Sequence, residues 1–385
     1  MIIEIKGVQF VNKGAELMLC AIMQQLHSRY NDVEVVLAPT RNSPYLSRAK
    51  VGAYQKLSIR KNVLDLNRLS YLLPTKVRQY LKSKWGIVTE ADIDVVLDAS
   101  GFAYGDQWQD MGVRHLHGEL KRAGQFDKTY IFMPQALGPF SNPKDTKYLQ
   151  DSLVDAALVC AREEQSYAHV QAIGAGDVNL KLYPDFTNLV TGVVPDYYQN
   201  GAQKVVIIPN SNMIGSRNLN KSWASSYVDV LCSAVQAIQD MGLSPVLLNH
   251  EGKGDGDLCH QINRHFAGSL EFIEEPDPIK VKGIIGASKA IVCSRFHGCV
   301  SALSQKVPCV GTSWSHKYEQ LFAEYSAGQQ LLAPGADYDR VKQTLEFALQ
   351  NVQSADYIER VERYKQQSTS MWQEIHTILA ARKGE

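Results

Sequence analysis

One short run of the 385-residue chain combines a residue suited to anion binding with one suited to proton transfer. Arg295 and His297 lie in SRFHG (294–298), between an apolar strand predicted over 290–294 and a helix predicted to begin at Gly298. Alternation along an extended chain turns both side chains to the same side. The start of the helix, including the backbone of Gly298, favours phosphate or carboxylate. The guanidinium adds a bidentate fork, and the imidazole exchanges protons near neutral pH.

A structural interpretation of the same residues stands beside the functional one. Arg295 could pair with a structural carboxylate while His297 caps or packs. The position at a strand end favours function, because open α/β sheets bind ligands beyond the carboxyl ends of their strands. Two further cations are candidates for the same anion: Arg162, after an earlier strand, and Lys317, after the next one. For Lys317 a solvated surface position is the alternative.

Polar residues in turns after other predicted strands are candidates for holding a second substrate. The NKGAE turn (12–16) contains Gly14, which permits close backbone approach. His250 ends a strand and precedes a glycine-rich segment, read as a loop, that carries Asp255 and Asp257. Ordinary turn chemistry explains the glycines and aspartates of that segment about as well. The candidates for acceptor binding are Asn12, Glu16, Ser100, Gly101, Gln135 and His250.

The elements that position these residues alternate between short β-branched strands and amphipathic helices. Such alternation predicts βαβ units and parallel sheets. The pattern restarts near 190–203, so we expect two Rossmann-like domains, 1–195 and 200–350, with sheets facing a central cleft. A helix over 356–385 could brace both domains. The predicted strands are 2–10, 33–39, 93–100, 130–137, 205–211, 245–251, 270–275, 290–298 and 308–314.

Composition argues against a nucleic-acid partner, a metal site and a membrane-spanning protein. Lysine plus arginine equals aspartate plus glutamate at 40 each, so no bulk charge predicts a nucleic-acid partner. The seven cysteines lack metal-ligand spacing and are expected to be buried thiols in a reducing compartment, with no metal site. No signal peptide or membrane span is predicted, which favours a cytoplasmic protein.

One segment departs from this neutrality. Residues 41–84, read as a basic insertion in the first domain, hold eleven lysines and arginines against the single acidic Asp65, with tyrosines and leucines interleaved. Contact with an anionic lipid surface or a diphosphate-linked acceptor is one interpretation. A basic, solvated face of a helical insertion is the other.

Taken together, the motifs resemble the polysaccharide pyruvyl transferase family. The resemblance spans 7–325, and SRFHG (294–298) with the later Lys317 is its most specific part. Its other pieces are the turn 12–16, the turn at 100–101, PQALGPF (134–140), the segment 162–166 and YPDFTNL (183–189). The chain departs from the family pattern at 14–16, where many members have Gly-Asp-Glu, and at 100–102, where many have a run of glycines. These departures affect the expected acceptor rather than the donor site.

The resemblance implies a fold like that of the GT-B glycosyltransferases and a transferase that moves pyruvate from phosphoenolpyruvate to sugar hydroxyls, often as a ketal. By similarity, Arg295 and His297 match the donor-site pair and Arg162 a further arginine. It implies no metal and no cofactor, with phosphoenolpyruvate as donor substrate. The expected acceptor is a sugar, an oligosaccharide or a lipid-linked saccharide in cell-surface or exopolysaccharide biosynthesis.

The expected mechanism uses Arg295, Arg162 and Lys317 to hold the donor while His297 carries a proton. Two other functions remain open. A nucleotide-sugar glycosyltransferase would use the same architecture. A non-catalytic protein would use 41–84 to dock at the inner face of a membrane.

Overall fold

The computed structural model describes residues 1–61, 64–108, 112–215, 218 and 220–383. The chain divides into two compact units. Unit 1 comprises Met1–Phe10, Met18–Phe186 and Gln367–Glu385, and unit 2 comprises Val11–Leu17 and Thr187–Gln366. The division after Phe186 lies a few residues before the predicted boundary at 190–203. The strand and helix pattern did not reveal that a piece of the N-terminus, 11–17, belongs to unit 2.

The described part of unit 1 contains ten strands. They are β1 (Ile2–Lys6), β2 (Glu34–Leu37), β3 (Tyr54–Lys56), β4 (Arg60–Lys61), β5 (Leu64–Asp65), β6 (Ile87–Val88), β7 (Val95–Asp98), β8 (Thr129–Gln135), β9 (Leu158–Ala161) and β10 (Leu180–Leu182). Eight of them form one parallel sheet in the order β10-β9-β8-β7-β1-β2-β3-β6, and β4 pairs with β5 in an antiparallel hairpin. The parallel sheet predicted from the βαβ pattern is confirmed.

Helices connect these strands. They are α1 (Lys13–Arg29), α2 (Tyr45–Lys50), α3 (Thr75–Trp85), α4 (Gly112–Gln125), α5 (Pro143–Ser152) and α6 (Glu164–Ile173). The first residues of α1 belong to unit 2 and the rest of the helix to unit 1.

Unit 2 repeats the architecture on a second parallel sheet of six strands, β11 (Lys204–Ile208), β12 (Ser244–Asn249), β13 (Glu271–Glu274), β14 (Ala290–Cys293), β15 (Cys309–Thr312) and β16 (Leu331–Leu332). Its helices are α7 (Ser222–Asp240), α8 (Gly252–His265), α9 (Pro278–Ala287), α10 (Phe296–Leu303), α11 (His316–Glu324) and α12 (Tyr338–Asn351). The last helix, α13 (Ala355–Lys383), contributes its first part to unit 2 and residues from Gln367 onward to unit 1.

The central strand of unit 2 shows why these strands read as continuous apolar runs. Val205 and Ile207 of β11 pack into the cluster that contains Trp223. Val206 and Ile208 pack into the cluster on the other face of the sheet. Strands of a parallel sheet covered by helices on both sides need apolar residues at every position.

The strand order places a topological switch point in each sheet. In unit 2, β11 lies between β12 and β14; in unit 1, β1 lies between β2 and β7. The chain crosses to opposite sides of the starting strand, which leaves a crevice beyond the carboxyl ends of the two neighbours. In unit 2 the residues that follow β11 and β14 lie at this switch point, and they include Arg295 and His297.

The segment 41–84 is not wholly an inserted helical region. It contains β3, which pairs with both β2 and β6 inside the sheet. Lys56 of that strand is buried and forms an ion pair of 2.6 Å with Glu4. One of the eleven basic residues therefore serves the core of unit 1 rather than a solvated face.

Two further expectations can be compared with the described residues. No disulfide joins any of the seven cysteines, five of which are buried, while Cys20 and Cys232 are half-buried. Among the described helices, none combines the length and apolar character that crossing a bilayer requires.

Candidate functional site

Helix α10 begins two residues earlier than predicted, which changes how Arg295 and His297 are positioned. The helix starts at Phe296 rather than Gly298, so Arg295 is its N-cap residue and His297 is its second residue. Strand alternation therefore does not govern their directions. Gly298 is buried, and a Cβ there would lie 2.6 Å from the Cys293 sulfur. Glycine at 298 lets the helix pack against the end of β14.

A buried hydrogen-bond network holds the strand end from which Arg295 projects. Ser294 lies at its centre: its hydroxyl accepts hydrogen bonds from Tyr227 at 2.6 Å and Thr312 at 2.7 Å. Its carbonyl accepts from the Asn210 amide at 2.7 Å and from Tyr318 at 2.9 Å. These contacts join four elements of unit 2 at the switch point, so the backbone that carries Arg295 is firmly positioned.

Arg295 is held by two carboxylates. Its Nε donates to Asp255 Oδ2 at 2.7 Å and its Nη2 to Asp255 Oδ1 at 2.5 Å, while Nη1 contacts Glu251. The Asp255 side chain is fully buried, whereas that of Glu251 is 25% exposed. This pairing with carboxylates is what the structural interpretation of Arg295 predicts. It also fixes the plane of the guanidinium and leaves the Glu251 side as the more accessible one.

Burial disfavours the charged forms of both Asp255 and Arg295. It raises the pKa of Asp255 to about 7, although hydrogen bonds from the backbone and hydroxyl of Ser211 act in the opposite direction. Burial also lowers the pKa of Arg295 to about 10. The bidentate contact offsets these desolvation costs, so loss of Arg295 would leave the Asp255 charge buried without a cation beside it.

The N-terminal turn 12–16 completes this cluster in unit 2. Asn12 caps helix α1, since its Oδ1 accepts from the backbone N–H of Gly14 at 2.9 Å, and its Nδ2 donates to Glu251 at 3.0 Å. Lys13 donates to Glu16 at 2.7 Å and to the Pro276 carbonyl at 2.6 Å. Burial raises the pKa of Glu16, against the effect of Lys13. Asn12 thus positions Glu251, and Glu16 pairs with its own neighbour.

Gly14 lies directly against His297. A Cβ at position 14 would be 2.2 Å from His297 Nδ1 and 2.7 Å from its Cβ. No side chain larger than hydrogen fits there unless the imidazole moves. The turn was expected to let the backbone approach a ligand, and the group it approaches is this histidine.

His250 belongs to the same cluster. It is buried, and its Nδ1 has no hydrogen-bond partner among the described residues. Burial lowers its pKa well below the usual value, and the positive charges of Arg295 and Lys13 act in the same direction. His250 is therefore neutral at pH 7, with one ring nitrogen able to engage a ligand.

The depressed pKa of His250 makes a testable contribution to stability. Unfolded histidine takes up a proton below about pH 6.5, whereas folded His250 does not, so stability falls as the pH falls below that value. We expect the loss in free energy of unfolding between pH 7.5 and 5.5 to be about 1.4 kcal/mol smaller in His250→Gln than in the parent protein. Denaturant titrations at both pH values measure this difference.

His376 supplies the matched control for this prediction. Burial lowers its pKa to about 4, so His376→Gln should also reduce the acid sensitivity, and its effect should add to that of His250→Gln. An unchanged pH dependence in His250→Gln would contradict the assignment.

Lys317 lies over aromatic rings. Its Nζ is 5.1 Å from the ring centre of Trp314, 5.2 Å from that of Phe296 and 5.6 Å from that of Tyr318. Cation–π contacts of this kind hold the ammonium group beside the start of α10.

The remaining candidates lie in unit 1. Arg162 follows β9, is buried, and lies 3.8 Å from Asp185. Its backbone N–H donates to the carbonyl of Gln135 at the end of β8. The side chain of Gln135 is buried, and its Nε2 donates to the Asp98 carbonyl at 3.0 Å.

Ser100 and Gly101 form the turn after β7. The Ser100 hydroxyl donates to Asp98 at 2.5 Å, and Gly101 has a φ of +71°, in the left-handed region that favours glycine. Asp98 is fully buried and accepts further hydrogen bonds from Tyr104 at 2.7 Å and Tyr130 at 2.6 Å. It organises the carboxyl ends of the central strands of unit 1.

A cavity of about 230 Å³ lies beside this switch point in unit 1. It is lined by Lys6, Gly7, Gln9, Thr40 and Asn42 together with apolar residues at and just beyond the ends of β1 and β2. Asn42 donates to Gln9 at 2.7 Å across its lining.

The carboxylate partners of Arg295 are not evident from the sequence pattern. The glycine-rich composition of 252–256 predicts a loop, but these residues open helix α8, which runs over Gly252–His265. Glu251 and Asp255 are four residues apart and present their carboxylates on one helical face. That spacing was the available signal, and the three glycines obscured it. Within the described residues, no group of three or more His, Cys, Asp or Glu side chains is arranged to hold a metal ion.

Most of the chain is similar in sequence to one known protein family. A family model described as polysaccharide pyruvyl transferase matches residues 12–316, a range that includes the turn 12–16, Arg162 and SRFHG. A comparison with curated proteins gives no match.

Solved structures share the fold over nearly the whole chain. The putative UDP-N-acetylglucosamine 2-epimerase from Listeria monocytogenes is 12% identical with a TM-score of 0.55, covering 97% of this chain and 96% of that one. HepE from Anabaena, solved with UDP and glucose, has the same identity and TM-score and covers 99% of both chains. The UDP-GlcNAc 2-epimerase from Methanocaldococcus jannaschii is 11% identical, with a TM-score of 0.55, and covers 94% of this chain and 99% of that one. At these identities the likeness shows a GT-B-like α/β fold.

Proposed function

Because the chain belongs to the polysaccharide pyruvyl transferase family, we propose that it transfers the pyruvyl group of phosphoenolpyruvate to hydroxyl groups of a sugar. The observation that carries the proposal is the cluster at the switch point of unit 2. There a planar guanidinium, a helix N-terminus and neutral His250 surround the position of His297. Such a group of side chains is suited to an anionic substrate whose reaction requires proton transfer.

The reaction proceeds by addition and elimination at C2 of the donor. A sugar hydroxyl oxygen bonds to C2, its proton leaves, and C3 gains a proton to become a methyl group. A second hydroxyl then bonds to C2 and gives up its proton to the departing phosphate while the C2–oxygen bond to phosphate breaks. The products are inorganic phosphate and the pyruvyl ketal, so the step needs no oxidant or reductant.

Arg295 binds the donor by exchanging one of its two carboxylate partners. Asp255 is fully buried and keeps its two contacts, whereas Glu251 is partly exposed and occupies the outer side of the fork. A carboxylate or phosphate group of the donor takes the place of the Glu251 carboxylate there. Asn12, which donates to Glu251, can retain that side chain after it moves.

His297 accepts the proton of the attacking hydroxyl and returns one at C3. Its position in the first turn of α10 lets developing negative charge on the departing phosphate face the backbone N–H groups of that turn. Neutral His250 contributes a ring nitrogen without adding a positive charge beside Arg295. Lys317 adds positive charge near the start of the same helix.

The polar groups of unit 1 provide the acceptor side in this proposal. Ser100, Gly101 and Gln135 lie at the carboxyl ends of β7 and β8, and the neighbouring cavity of about 230 Å³ is suited to a single sugar unit. Arg162, which the family resemblance assigns to the donor, lies in unit 1 at the end of β9 and adds a cation at this end of the sheet. The acceptor is a free or lipid-linked saccharide.

Phosphate release tests the proposal directly. Phosphoenolpyruvate is titrated by calorimetry, and phosphate release is then measured with a panel of galactosides, glucosides and N-acetylmannosamine glycosides. We expect binding without acceptor, and release with one class of acceptor accompanied by pyruvate in the product detected by mass spectrometry. His297→Ala, assayed in parallel, should bind the donor and release little phosphate.

The calorimetric titration separates the alternatives. HepE, which shares the fold, was solved with UDP and glucose, so a nucleotide-sugar glycosyltransferase remains the competing function. Binding of UDP without binding of phosphoenolpyruvate would favour it and overturn the proposal. Binding of neither ligand would leave a non-catalytic protein as the explanation.

A further inference from the structure

Exposed apolar side chains are concentrated in one stretch of unit 1. Among the described residues, 17 large apolar side chains are exposed, and nine of these lie between Tyr45 and Trp85. That stretch is about a tenth of the chain, whereas scattered single exposures are the normal pattern. The part from Leu69 to Trp85 is continuous in sequence and includes the whole of α3.

The apolar residues of helix α3 do not pack into the core. None of its side chains is buried, and the helix is attached by ion pairs instead: Arg78 with Asp92, and Lys82 with Glu34. Tyr80 and Trp85 are 53% and 61% exposed and pack edge-to-face with ring centres 5.6 Å apart. Leu72, just before the helix, is 78% exposed.

The charges on the same stretch are one-sided. The nearby acidic residues are engaged: Asp92 and Glu34 in the ion pairs above, and Asp65 and Glu90 with Arg122. Lys76 and Lys84 of α3 are exposed and form no ion pair with any described residue. The charge left for a partner is therefore positive, next to aromatic and aliphatic side chains.

We propose that Leu72, Val77, Tyr80 and Trp85, with Lys76 and Lys84, form a face that docks on an anionic lipid surface. Tyrosine and tryptophan suit the lipid interface because one end of each ring system is polar and the rest apolar. Lysines beside them are attracted to anionic headgroups within a Debye length. The face holds the enzyme at the membrane independently of the catalytic cluster in unit 2.

Co-sedimentation with vesicles tests the proposal with the full chain. We expect binding to vesicles of phosphatidylglycerol mixed with phosphatidylcholine, weak binding to phosphatidylcholine alone, and loss of binding at high salt. Lys76→Gln with Lys84→Gln should weaken binding about 30-fold, since each basic residue contributes roughly a five-fold factor. Leu72→Gln with Trp85→Gln should weaken it roughly ten-fold or more.

Lys144 and Lys147 provide the matched control. They lie exposed on α5 of the same unit, and Lys144→Gln with Lys147→Gln should leave vesicle binding within two- to three-fold of the parent protein. Because none of these residues lies in the catalytic cluster, phosphate release with a soluble acceptor should be unchanged in every variant.

Three results would overturn the proposal. One is the absence of sedimentation with anionic vesicles. The second is equal weakening by the α3 and α5 lysine variants, which would indicate net charge rather than a face. The third is lipid-independent self-association that Leu72→Gln with Trp85→Gln abolishes, measured by analytical ultracentrifugation; it would assign the face to a second copy of the chain.

Discussion

Replacing His297 by alanine is expected to lower kcat by about 10²-fold or more while the KM for phosphoenolpyruvate changes little. A general acid or base acts in the transition state, whereas the donor is held mainly by positive charge. Steady-state kinetics of phosphate release measures both parameters.

Gly14→Ala tests the same residue without altering it. Its Cβ would lie 2.2 Å from His297 Nδ1, so the imidazole must move, and kcat should fall while the helix itself gains from alanine. Gly328→Ala is the matched control, because nothing lies within 4 Å of a Cβ there.

Normal turnover in His297→Ala would remove the histidine from the mechanism.

Arg295→Ala is expected to abolish detectable phosphoenolpyruvate binding and to destabilise the protein by about 3–5 kcal/mol. The substitution leaves the fully buried Asp255 carboxylate without its partner, and breaking a buried ion pair on one side costs this amount. Burial already raises the pKa of Asp255, and loss of the neighbouring guanidinium raises it further, so the variant can protonate this carboxyl and the destabilisation should be smaller at pH 6 than at pH 8. Denaturant titration at both pH values measures it.

A double variant separates the binding role of Arg295 from its structural role. Arg295→Met with Asp255→Leu removes both charges and should recover much of the lost stability, yet it should not bind phosphoenolpyruvate. Restored binding would mean that the arginine does not hold the donor. The Glu251→Gln variant tests whether the donor replaces the Glu251 carboxylate on Arg295. If it does, the KM for phosphoenolpyruvate should be lower in this variant. An unchanged or higher KM would argue against that replacement.

The sequence predicted where the main strands begin because this depends on local pattern, but it extended several of them too far: 2–10 and 290–298 were predicted where β1 ends at Lys6 and β14 at Cys293. Apolar runs such as 205–208 and 290–293 are short, β-branched and bounded by polar residues, so their strands follow from composition alone. The position of Arg295 and His297 beyond β14 was predicted for the same reason.

The partners of these residues could not be predicted, because they are set by tertiary contacts. Helix α8 opens with three glycines in its first five residues, a composition typical of loops, and packing overrides that preference. Asn12 was assigned to the N-terminal half by its position in sequence, yet it contacts Glu251 in unit 2. Nothing local in either segment indicates this pairing.

The long separation between Asn12 and Glu251 also bears on how the protein is made. The two residues are 239 positions apart in the chain, and at bacterial or eukaryotic elongation rates the ribosome needs about 10–50 s to cover that distance. During this time the first turn of the first helix has emerged without its partners. Unit 2 therefore completes this contact only late in synthesis, and a truncation that removed residues 11–17 would take away part of unit 2 rather than of unit 1.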